Sequence, residues 1–108
     1  MDAETTTATP LACTLAALTA DERARRQALT DQLAAAREEV RDEEDGYTFR
    51  YQAALLPVAA AFVALERRCC PFFRFTLTLD PADGPLWLRI TGGEGAKDMA
   101  RVALNQDA

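Results

Sequence analysis

Apolar and polar positions repeat with two different periods along this chain, and the changes of period mark out its elements. Leu29, Leu33, Ala36 and Val40 recur at helical spacing, while Arg23, Arg25, Arg26, Glu38 and Glu39 lie mostly off that stripe. The segment opens with TADE at 19–22, a capping box in which Thr19 caps and Glu22 reaches back. The pattern predicts a helix over about 20–43, with the acidic run Asp42–Asp45 at its solvated end and Gly46 as its C-cap. YTFRY at 47–51 then alternates as a strand does. LLPVAAAFVALERRCC returns to the helical period, with Pro57 in the first turn and Val58, Phe62, Leu65 and Cys69 on one stripe.

Pro71 stops that second helix, and the period returns to two. Phe73, Phe75, Leu77 and Leu79 point one way. PADGP makes a turn, and LWLRIT is the hairpin partner, with Leu86, Leu88 and Ile90 inward and Trp87 on the other face. Gly92 and Gly93 break the strand, and a short helix over about 94–104 carries Met99, Val102 and Leu104. The predicted fold is α+β, a small and mainly antiparallel sheet packed against two or three helices. Its order is α-β-α-β-β-α, preceded by a first strand if PLACTLAAL around Cys13 is extended. Residues 1–10 are expected to be a disordered tail and 11–108 a single domain.

Composition removes several functions. The chain has 12 basic and 17 acidic residues, a net charge of −5 and no histidine. Nucleic-acid binding needs the opposite balance, so no nucleic-acid partner is expected. A histidine-dependent triad and a Cys₂His₂ zinc site are excluded outright. The start of the chain is acidic and polar, unlike a secretory signal, and no apolar run reaches membrane-spanning length. A cytoplasmic protein with reduced thiols is the expectation. The alanine-rich first helix offers a surface for a homodimer or a partner.

The candidate chemistry lies in LERRCCPFFRF, residues 65–75. Adjacent cysteines have Cα atoms about 3.8 Å apart, too close for an unstrained mutual disulfide. They sit at a helix C-terminus, where the dipole disfavours a free thiolate and welcomes a cation. Arg67 and Arg68 could offset the dipole and lower the thiol pKa values, or could be ordinary last-turn arginines. Glu66, three residues before Cys69 and four before Cys70, shares their end of the helix and is a candidate ligand, proton acceptor or salt-bridge partner. Low-coordinate thiolate sites suit soft ions: Cu(I), Hg(II) or As(III). Cys13 could supply a third thiolate, and Zn(II) would require Glu66 as a fourth ligand. Phe72, Phe73 and Phe75 would keep such a site dry.

Cysteine is also a common core residue, and Cys69 continues an apolar stripe. Cys70, about 100° further round the helix, cannot share that depth in the same core. TGGEGAK at 91–97 lacks Walker spacing and is expected to be a strand-to-helix turn with Gly95 at its start.

LACTL, ALERRCCPFFRF and LWLRITGGEGAKD together resemble a group of small bacterial proteins. That group shares an E-x-x-C-C-P-F core, a Leu-x-Cys segment before it and a T-G-x-x-G-A segment after it. The resemblance spans about residues 11–104. It implies thiol-based handling of a heavy metal, with mercury the usual suggestion. Cys13, Cys69 and Cys70 match the group's cysteines and Glu66 its acidic residue. The element order also resembles ferredoxin-like metallochaperones, although the Cys-x-x-Cys loop of those proteins is absent here. The expected function is therefore a binding protein (chaperone, buffer or scavenger) for a soft thiophilic ion. Cys13, Cys69 and Cys70 are its ligands, and Glu66 and Arg68 stand behind them. A small thiol-dependent redox enzyme and a non-catalytic partner-binding module are the alternatives.

Overall fold

The computed structural model describes residues 14–93 and 95–103. The expected tail, a first strand at Cys13 and the position of Leu104 lie outside those residues. After a 3-10 turn at Leu15–Ala17 come helix α1 (Ala20–Ala36), strands β1 (Glu39–Glu43) and β2 (Gly46–Tyr51), and a second 3-10 turn at Ala53–Leu55. Helix α2 (Leu56–Cys69), strands β3 (Arg74–Leu79) and β4 (Leu86–Thr91), and helix α3 (Ala96–Ala103) follow. The strands form one sheet in the order β1-β2-β4-β3, with every neighbouring pair antiparallel. The fold is α+β, as the alternation of periods implies.

One boundary differs from expectation. The first helix ends at Ala36, and Arg37 is already extended. Residues 39–43, which the helical period absorbed, instead pair with β2 from Glu39↔Arg50 to Glu43↔Gly46. The two intervening residues, Glu44 and Asp45, make the hairpin turn. Asp45-Gly46 is a hairpin signal, and Gly46 is required there for close approach rather than as a helix cap. A Cβ on Gly46 would lie 1.9 Å from the Ile90 carbonyl oxygen across the sheet. The glutamates and arginine of 39–43 favour helix, but an edge-strand partner outweighs that local preference.

The other elements follow their patterns. Thr19 Oγ1 accepts from the Glu22 N–H at 3.1 Å while the Glu22 carboxylate accepts from the Thr19 N–H at 2.9 Å, so the capping box is complete. Pro57 occupies the first turn of α2. Gly95, with φ of 87°, opens the turn into α3. Tyr47, Phe49 and Tyr51 of β2 oppose Ile90, Leu88 and Leu86 of β4, and all six are buried. They share one core with Leu29 and Leu33 of α1, Ala59, Phe62, Leu65 and Cys69 of α2, and Ala96 and Ala100 of α3. On the opposite face of the sheet Trp87 lies under the Arg41 guanidinium at 4.1 Å and donates to Asp80 at 2.9 Å. The acidic run after Val40 gathers no ligand set among the described residues. Asp42 instead pairs with Lys97, tying β1 to α3. Among the described residues, no helix is long and apolar enough to cross a membrane.

Candidate functional site

The last turn of α2 builds the site. Glu66, Cys69 and Cys70 occupy positions i, i+3 and i+4, so all three emerge on one side of the helix end. The Cys70 N–H donates to the Glu66 carbonyl at 2.7 Å and closes the final turn before Pro71. All three side chains are fully buried. Cys69 Sγ lies 3.6 Å from Glu66 Oε1, Cys70 Sγ lies 3.4 Å from Oε2, and the two sulfurs are 3.8 Å apart. One donor atom from each residue falls within 4.8 Å of the other two, so the group could hold a metal ion.

A carboxylate at 0 % exposure must be compensated. The compensating group is Arg26, reaching across from α1. Its Nε donates to Glu66 Oε1 at 2.5 Å and its Nη2 to Oε2 at 3.2 Å. Burial works against the Arg26 charge, but the Glu66 carboxylate outweighs that and holds its pKa above the ordinary value. Sequence patterning set Arg26 among the residues off the apolar stripe. The structure corrects this, because Arg26 lies three residues before Leu29 and seven before Leu33, on the same face as both. Its neighbour Thr30, also buried, donates back to the Arg26 carbonyl at 2.8 Å.

Arg68, whose charge couples to the Cys69 thiol, makes its direct contacts elsewhere. It donates to Glu22 at 2.6 Å and to the Ala17 carbonyl at 3.1 Å, fastening the end of α2 to the start of α1. Arg67 is exposed. Burial first, and the Glu66 carboxylate second, push the Cys69 thiol pKa upward, against the opposing charge of Arg26. Cys69 is a free thiol, whereas Cys70 is disulfide-bonded.

Cys13 lies outside the described residues. Its neighbour does not: the Thr14 N–H donates to the Cys69 carbonyl at 2.7 Å. The described chain therefore begins, at Thr14, against the end of α2. Phe73, buried, donates its N–H to the Cys70 carbonyl at 3.3 Å and stacks against Phe72 and Phe75 at centroid distances of 4.5 and 5.8 Å. The aromatic cluster thus packs on the same core as the two cysteines.

No family model matches the chain, and no curated protein or solved structure matches it either.

Proposed function

We propose that this protein, when reduced, binds a soft thiophilic metal or metalloid ion through Cys69 and Cys70, and that it serves in the cytoplasm as a chaperone, buffer or scavenger. One observation carries the reading: two sulfurs and a carboxylate share a fully buried pocket in which the carboxylate is already neutralised by Arg26. The ion pair cancels its own charge. Exchanging two thiol protons for one divalent soft cation then leaves the pocket neutral, the only inexpensive condition away from water. A monovalent ion would leave one thiol protonated. A trivalent one would need a third thiolate, which is the role open to Cys13.

The sulfur separation bears on the ion's geometry. Bonds of about 2.3 Å from a tetrahedral centre place two sulfurs about 3.8 Å apart, whereas a linear arrangement places them about 4.6 Å apart. The 3.8 Å separation, with Cys70 disulfide-bonded, matches bent coordination with a further ligand if reduction leaves it unchanged. Glu66 uses one lone pair on each oxygen for Arg26, leaving others for an ion or a thiol proton. The mercury suggestion from the family resemblance is therefore one candidate beside Zn(II), Cu(I) and As(III).

The test is a titration of fully reduced, oxygen-free protein with each of the four ions against a dithiol competitor, read by native mass spectrometry. One ion per chain or per dimer, lost in Cys69→Ser and Cys70→Ser, supports the site. The Cys13→Ser variant separates two thiolates from three. If no ion survives the competitor, the metal reading fails.

The disulfide state of Cys70 favours a second reading, a thiol–disulfide redox protein with Cys13 as nucleophile and Cys70 as resolving thiol. It requires a cysteine with a depressed pKa. Alkylation rate against pH tests it, and a thiolate appearing only near or above the ordinary value of about 8.5 would count against it.

A further inference from the structure

A site with no exposed atoms must be loaded from a neighbouring surface. A groove of about 790 Å³ lies against the aromatic loop that follows Cys70. Phe72 and Phe73 form part of its wall, with Gly92 beside them. A Cβ on Gly92 would lie 3.1 Å from the Phe72 carbonyl oxygen and 3.9 Å from the Phe73 ring, so the wall is closely fitted. Arg67, from the last turn of α2, and Arg74, from the first residue of β3, converge on the groove from opposite ends of the Cys-Cys-Pro-Phe-Phe segment.

Both arginines are exposed, and neither has an ion-pair partner among the described residues. Among the described residues Asp45 supplies the only acidic side chain of the lining, set among two guanidinium groups and three phenyl rings.

We propose that this groove binds a small peptide thiol bearing carboxylates and an ammonium group, and that it positions the ion carried by that thiol for transfer to Cys69 and Cys70. The inference rests on the soft-metal reading of the thiol pair. Arg67 and Arg74 take the carboxylates, Asp45 takes the ammonium, and the phenyl rings cover the aliphatic part. The groove's volume suits a ligand of tripeptide size. Transfer is ligand exchange without change of oxidation state. Each new metal–sulfur bond, to Cys69 and then Cys70, replaces one metal–sulfur bond to the carrier. The proton of each protein thiol leaves on the carrier thiolate it displaces, so one loaded ion releases two carrier thiols.

S-methylglutathione is the first probe, because it has the charges but no free thiol and reports on the groove without any metal. Its binding to the whole chain, followed by NMR shifts, should weaken on the order of tenfold in Arg67→Gln and in Arg74→Gln, and more in the double variant. Arg25→Gln, a charge removed from the exposed face of α1, should leave binding unchanged. Stopped-flow transfer of Hg(II) should slow by a similar factor in the double variant when the carrier is glutathione, and not when it is uncharged 2-mercaptoethanol. Equal binding of S-methylglutathione by the parent and the double variant would overturn the proposal. So would an equal slowing with both carriers. If S-methylglutathione binds as expected but no ion is retained by Cys69 and Cys70, the transfer role is overturned together with the metal reading.

Discussion

Helices α1 and α2 are joined by two arginine–carboxylate pairs that run in opposite directions. Arg26 of α1 meets Glu66 of α2, with side chains 12 % and 0 % exposed; Arg68 of α2 meets Glu22 of α1, with side chains 48 % and 30 % exposed. The partners and the helices are the same, but the surroundings differ. At the surface, water screens both charges, and the pair serves as a strut. In the interior, neither charge is tolerable alone, so the pair becomes a requirement. That difference explains why the thiols sit beside the inner pair. Water is absent there, the carboxylate is held in place, and a cation can replace thiol protons without adding charge.

The comparison is broken most sharply by removing the inner arginine. Arg26→Met leaves Glu66 buried and uncompensated, and should destabilise the reduced protein by about 3–5 kcal/mol in urea melts. Arg26→Met combined with Glu66→Met should recover much of that loss, because an apolar pair of similar volume needs no desolvation. If the single variant is as stable as the parent, the inner pair is not the requirement that its burial indicates.

A smaller stability effect, with a larger functional one, is expected from Glu66→Gln. The amide keeps the shape, but a bound divalent ion with two thiolates and Arg26 would then carry a net positive charge in a dry pocket. Soft-metal affinity should fall at least about tenfold, with a loss of stability near 2 kcal/mol. Competitive titration beside a urea melt checks both. Undiminished affinity would show that Glu66 takes no part in charge balance.

Both inner charges were legible in the sequence to different degrees. Glu66 was singled out by its spacing from the cysteines, although its place on the Ala59–Phe62–Cys69 stripe already indicated complete burial. Arg26 carries the same signal more faintly, because the capping box fixes the phase of α1 and puts Arg26 on the Leu29–Leu33 face. Opposite charges on the apolar stripes of two successive helices are themselves the signal for a buried pair. Arg68 is adjacent to Cys69 in the chain, and adjacency on a helix turns a side chain about 100° away. The sheet was legible where strands alternate, as in β3 and β4. It was obscured at β1, where charged residues with good helix propensity pair only because β2 lies beside them. No periodicity could place Thr14 against Cys69, since that contact joins an irregular lead-in to a helix end.

Alkaline pH probes the inner site more gently. The Cys69 pKa is raised from its ordinary 9.0 by burial and then by Glu66, and that of Tyr51 is raised from 10.0 by burial. In each case the folded chain keeps a proton that the unfolded chain loses. The associated stability is therefore fully present below the unfolded value and declines as pH rises through the folded one. Reduced protein should lose stability from about pH 9 upward. Cys69→Ala should remove the part that begins near pH 9, and Tyr51→Phe the part that begins near pH 10. A flat profile in the parent would mean that Cys69 is not held in the dry pocket described here.

The outer pair should give the smallest effect. Hydrogen bonds from Arg68 and from the Thr19 N–H hold the Glu22 pKa down at about 2, from an ordinary 4.5. Its contribution to stability is therefore present above pH 4.5 and is lost as pH falls towards 2, the reverse of the Cys69 case. Arg68→Ala should lower the melting temperature slightly at neutral pH in low salt, and the difference should vanish at about 0.5 M salt, where exposed charges are screened. The capping box survives this change, because the Thr19 N–H and Glu22 still bond each other, so helix content should stay constant by circular dichroism. The Arg26→Met deficit, by contrast, should persist at the same salt concentration, since salt does not enter a buried pocket. Equal salt sensitivity of the two variants would mean that the inner pair is as wet as the outer one. A buried site that trades thiol protons for a cation could not then be maintained.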